Sequence, residues 1–132
     1  MFLNFMTRNI IEFGADYERI SFAAIEACAG WKIVYNNFSE YDPDIDEAIY
    51  SYELCEDLLQ LENQNLLIDL GWYPHGVLNG SYKIYLVDTN SEAPFERPLE
   101  VFSSNSKTEI LEKIEYWTNS GFYQKYLRNN VK

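Results

Sequence analysis

Hydrophobic and polar positions alternate most cleanly between residues 59 and 87. Leu59 and Leu61 fall on one side of an extended chain, and Asn63-Gln64-Asn65 supply turn residues, so a β-hairpin is predicted whose second arm starts at Leu66. In that arm Leu66, Ile68, Leu70 and Trp72 share one face, opposite Leu67, Asp69, Gly71 and Tyr73. The first face reads as core. Pro74 ends the strand, a loop runs through Gly76 to Asn79-Gly80, and Tyr82, Ile84 and Leu86 resume an inward face opposite Lys83, Tyr85 and Val87. An antiparallel meander follows. A polar loop over residues 88–97, carrying Pro94, returns the chain to a further strand at 99–102.

On either side of this block the period changes. Ser106 and Glu109 have capping-box spacing, and Ile110, Leu111, Ile114 and Trp117 make a stripe of helical period, so 107–117 is predicted as an amphipathic helix with a Glu109–Lys113 pair on its surface. The tail after Gly121 is expected to turn and pack its aromatics back. Upstream, Phe2, Phe5, Met6, Ile10 and Phe13 recur at helical spacing before Gly14. A second helix is predicted over 16–29, ending at Gly30, against the competing reading of a strand through 20–22. The run WKIVY, 31–35, is short, β-branched and aromatic and fits a strand. Residues 39–47, SEYDPDIDE, read as an exposed acidic loop, and 48–56 as a short helix or an irregular link.

The predicted architecture is α+β: one domain over residues 1–132, an antiparallel sheet of about four or five strands, N-terminal helices and a C-terminal amphipathic helix packed on it. A chain of 132 residues suits one core, and its 47% hydrophobic content is enough to offset ordering entropy. Charge adds a restriction that periodicity does not. Ten Lys+Arg against 21 Asp+Glu give a formal net charge of −11, which disfavours direct nucleic-acid binding and favours a basic protein partner. The plain alternative is that acidity serves solubility. Cys28 and Cys55 lack metal-ligand or CxxC spacing and read as reduced core residues. Neither a secretory signal nor an apolar run of membrane-spanning length is read, which places the expected protein in the cytoplasm.

Candidate chemistry is sparse. His75 is the single histidine, so any triad or metal site would have to be built around it. No nucleophile elbow, phosphate-binding glycine loop or HExxH motif occurs, and no cofactor or metal is expected. Asp42, Asp44, Asp46 and Glu53 have the spacing of a calcium loop, with Ile49 at its apolar position. Glu47 stands where that loop needs glycine, and Pro43 interrupts it, so a solvated or partner-facing acidic patch is the stronger reading. Asp69 reads as structural, on the solvent face of the sheet or hydrogen-bonded at its rim, and Trp72 as core with Tyr73 showing. An enzyme survives only if His75 sits in a cleft with a carboxylate or Cys55.

The stretch LLIDLGWYPHGVLNGSYKIYLV, followed by RPLEVF and the helix ending in IEYW, resembles small bacterial immunity proteins of contact-dependent growth inhibition and related polymorphic-toxin systems. The resemblance rests on Asp69, Gly71 to Pro74, Gly80, the strand 82–87, Pro98 to Glu100 and the helix 107–117, and spans residues 57–118. It implies a non-enzymatic protein that binds and neutralises a cognate toxin C-terminal domain, often a basic nuclease. The acidic segment Glu40, Tyr41, Asp42, Asp44, Asp46 and Glu47 is then the expected contact surface, with Tyr73 and His75 as a second candidate. An acidic adaptor of another basic protein is the alternative. Oligomeric state stays open.

Overall fold

The computed structural model describes residues 30–128; the two helices expected before Gly30 lie outside them, as does Cys28. Five strands, β1 (Lys32–Asn36), β2 (Leu59–Asn63), β3 (Leu66–Tyr73), β4 (Ser81–Asp88) and β5 (Glu100–Ser104), form one sheet in the order β1-β2-β3-β4-β5. Every pairing is antiparallel. The expected strand count and meander are what the chain adopts.

Register explains the sidedness. Leu61 pairs with Ile68 and Ile68 with Leu86, while Leu59 pairs with Leu70 and Leu70 with Ile84, so the alternating aliphatics of three strands stack on one face. All six are at most 1% exposed. The β2–β3 connection is the two-residue turn Gln64-Asn65, with Gln64 at φ 55°. Helix α1 (Lys107–Trp117) covers this face with Ile110, Leu111, Ile114 and Trp117. Burying such side chains stabilises by about 1.5–3 kcal/mol each, an upper bound because unfolded chains are themselves partly compact.

The cap of α1 differs from the reciprocal box read in the sequence. Ser106 Oγ accepts from the Glu109 amide at 3.2 Å, but the return bond runs through Ser104. Ser104 Oγ accepts from the Ser106 amide at 2.9 Å and donates to Glu109 Oε1 at 2.5 Å. The Glu109–Lys113 pair is not made either; Lys113 lies over the Phe102 ring, 4.4 Å from its centroid. After α1, the short helix α2 (Ser120–Tyr123) and a 3-10 turn (Gln124–Tyr126) return Tyr123 and Leu127 to the core. Tyr123 packs edge-on against Trp31 at 5.2 Å.

Candidate functional site

Between β1 and β2 the chain first dives and then emerges. Phe38, Ser39 and Tyr41 are buried, with Phe38 set edge-on to Tyr82 and Tyr82 in turn edge-on to Trp72. Tyr41, expected to offer an aromatic contact, is therefore corrected to a core residue, 1% exposed, whose hydroxyl donates to the Glu47 carbonyl at 3.1 Å. A phenol so placed ties down both ends of the turn that follows.

That turn is built by its own carboxylates. Asp42 Oδ1 accepts from the Asp44 amide at 2.9 Å, Asp46 Oδ2 accepts from the Asp42 amide at 2.8 Å, and the Asp46 amide donates to the Asp42 carbonyl at 2.8 Å. Asp side chains that bond backbone two to four residues away favour turns of this kind. Asp44 and Glu47 are exposed, and Glu40, Asp42 and Asp46 half-buried. Among the described residues no group of three or more His, Cys, Asp or Glu is arranged to hold a metal.

Beneath the turn lies a cation. Lys107, the first residue of α1, is buried, and its Nζ donates to the carbonyls of Ser39 at 2.6 Å and Tyr41 at 3.2 Å while sitting 3.9 Å from the centroid of Phe38. Burial lowers its pKa to about 7, against the opposing fields of Asp42, Glu40, Asp46 and Glu53. No reading of the sequence singled it out. The available signal was its place three residues before Ile110 and four before Leu111, in line with the apolar stripe.

Past the turn, 48–53 of the 48–56 segment form a 3-10 helix, Ala48–Glu53, with no fully buried residue and only Tyr50 packed partly against the core. Its Ile49 and Tyr52 are 73% and 60% exposed, and Ile45 just before it is 78% exposed. Ile49 and Tyr52, three apart and so at helical spacing, thus face water, while Cys55, the next at that spacing, packs partly against the core. From Ile33 to Tyr82 the chain carries ten Asp and Glu and no Lys or Arg, so the stretch that holds these apolar groups is wholly acidic in its own charges.

The second candidate surface adjoins the first. The Gly76 amide donates to the Leu54 carbonyl at 2.7 Å and the Trp72 amide to that of Cys55 at 2.9 Å, so the loop after β3 runs beside the end of the 3-10 helix. Tyr73 is 38% exposed, with its hydroxyl 3.5 Å from the Glu56 carbonyl, and His75 is exposed beyond the cis Tyr73–Pro74 bond. Trp72 is core, and its indole N–H donates to the Val77 carbonyl at 2.8 Å. Cys55 Sγ accepts from Asn37 and faces the Asp57 carbonyl; burial, ahead of those bonds, raises its pKa toward the unreactive thiol.

On the opposite face of the sheet, Asp69 borders a shallow depression of about 380 Å³ between Tyr35, Asp57 and Gln60. Burial raises the Asp69 pKa, offset by the Gln60 amide donating at 2.8 Å, while the Asp57 charge raises it further. This is the structural role read for Asp69. Comparison with protein families, curated proteins and solved structures finds no match to the chain.

Proposed function

We propose that this protein is an immunity protein: it binds and neutralises the C-terminal domain of a cognate bacterial toxin, a basic nuclease in the reading its acidity supports best. The observation that carries the proposal is the carboxylate turn at residues 42–46, half-buried at Asp42 and Asp46 and exposed at Asp44, whose side chains bond its own backbone and beneath which Lys107 lies. Carboxylates fixed in space can occupy the sites that a phosphate backbone takes in a basic cleft, and a prearranged loop loses little entropy on docking. Turnover plays no part. A toxin that acts inside the cell places its inhibitor in the cytoplasm, and no helix among the described residues is long and apolar enough to cross a membrane.

The test is genetic and physical. A large secreted toxin with a variable C-terminal domain is expected to be encoded next to this gene, and co-expression should restore growth to cells producing that domain. Neutralising Asp42, Asp44 and Asp46 together to Asn should slow association about tenfold without unfolding the protein. Cells that die equally fast with and without the protein would refute the proposal, as would a gene with no toxin neighbour.

A further inference from the structure

Ile45, Ile49 and Tyr52 are the three most exposed large hydrophobic residues among those described, and all lie within eight positions. Scattered exposed apolar residues are ordinary; three at 78%, 73% and 60% exposure in one turn and the short helix after it are not. In a 3-10 helix, side chains three apart eclipse, so Ile49 and Tyr52 project from the same side. The backbone beneath them is fastened at both ends, by the Tyr41 hydroxyl on the Glu47 carbonyl and by the Leu54 amide on the Ser51 carbonyl at 2.9 Å. Next to them along the chain are Asp42, Asp44, Asp46, Glu47 and Glu53, of which Asp44 and Glu47 are exposed.

We propose that Ile45, Ile49 and Tyr52 are the affinity-determining contact of this surface, seating in an apolar pocket rimmed by basic side chains on a protein partner. This rests on reading the acidic segment as partner-facing, and it assigns the two chemistries different work. Charges around the rim steer encounter and set the association rate, whereas desolvated apolar and aromatic anchors at the centre hold the complex and set its dissociation. Charge complementarity selects the occupant. An acidic rim repels phosphates and anionic lipid headgroups alike, which leaves a cationic protein surface as the partner able to cover these groups.

Two arms test this with the full chain and an Ile45→Ser/Ile49→Ser/Tyr52→Ser variant, whose fold is checked by unchanged sheet amide resonances. In the first, binding to the toxin domain encoded by the neighbouring gene is followed in real time. The variant should keep the association rate within about threefold and dissociate at least roughly 30-fold faster, the factor for one hot spot of 2 kcal/mol. Binding with dissociation within threefold of the parent overturns the inference and leaves the immunity reading intact. The second arm decides the case in which that domain does not bind. It uses an 18-residue amphipathic Lys/Leu peptide and a Lys/Ser peptide of equal charge. Shifts of amides 44–53 with Lys/Leu, at least tenfold weaker with Lys/Ser and lost in the variant, uphold the surface while the immunity reading falls. Equal response to both peptides, or shifts elsewhere, ends both.

Discussion

Tyr82 shows how a residue can suit the packing of a core and still burden it. Its ring lies edge-on to Trp72 at 4.8 Å and to Phe38 at 6.0 Å, contacts that contribute beyond area alone. Its hydroxyl, however, is buried with no hydrogen-bond partner among the described residues, and burial followed by the fields of Asp42 and Asp44 pushes its pKa well up. Removing that oxygen keeps the ring and ends the desolvation cost. Tyr82→Phe is therefore expected to stabilise by about 1 kcal/mol in urea unfolding; a loss of more than that would reveal a bond the hydroxyl does make. Lys107 sets a different balance. Its folded pKa of about 7 lies below the unfolded value of 10.5, so between these the unfolded chain binds the extra proton and stability rises with pH. The neutral amine still has two N–H donors for the Ser39 and Tyr41 carbonyls. From pH 7 to 8.5 this group should add at most about 1.4 kcal/mol per pH unit. Lys107→Met, which strands two carbonyls at a cost of roughly 1–3 kcal/mol, should lack that rise. A slope unchanged in the variant would show that Lys107 is not its source.

At the scale of elements, close approaches that no periodicity encodes decide the details. The segment 55–58 runs along β3 through Trp72 N–Cys55 O and Leu58 N–Leu70 O bonds, and Gly71 lies between them. A Cβ on Gly71 would stand 2.1 Å from the Glu56 carbonyl oxygen. Gly71→Ala must push that backbone off the strand, and is expected to destabilise by roughly 3 kcal/mol in urea unfolding; a loss under 1 kcal/mol would mean the segment yields freely. The strands, their inward faces and α1 were legible because one side of each is buried, and burial writes a period into the sequence. What was not legible depends on contacts between distant segments. Tyr41 follows an acidic pattern into the core because Lys107, far along the chain, meets its carbonyl. Asn65 looks like any turn residue, yet it is buried, bonding Asp88, the Tyr126 carbonyl and the Arg128 amide. Conversely, Ile49 and Tyr52 carry a helical stripe that points outward, since a period marks a face and not the medium it meets.

Over the whole molecule, the same excess of acid acts with opposite signs on folding and on binding. A formal charge of −11 on a 15.5 kDa chain repels itself in the compact state, so the free protein is destabilised by its own field. Only two ion pairs form among the described residues, Lys32 with Glu62 and Arg128 with Asp88, and both have an exposed cation. They offset little of that repulsion. Raising NaCl from about 20 to 500 mM shortens the screening length from roughly 20 Å to roughly 4 Å, which removes repulsion within the protein and attraction toward a basic partner together. The urea midpoint of the free protein should therefore rise with salt, while its association rate with the proposed partner, a basic toxin domain, should fall at least about tenfold. Dissociation should change little, because the anchors proposed for that complex, Ile45, Ile49 and Tyr52, are uncharged. Association that ignores salt while the midpoint still rises would mean the field exists but is not aimed at the partner, and would move the contact away from the carboxylate turn.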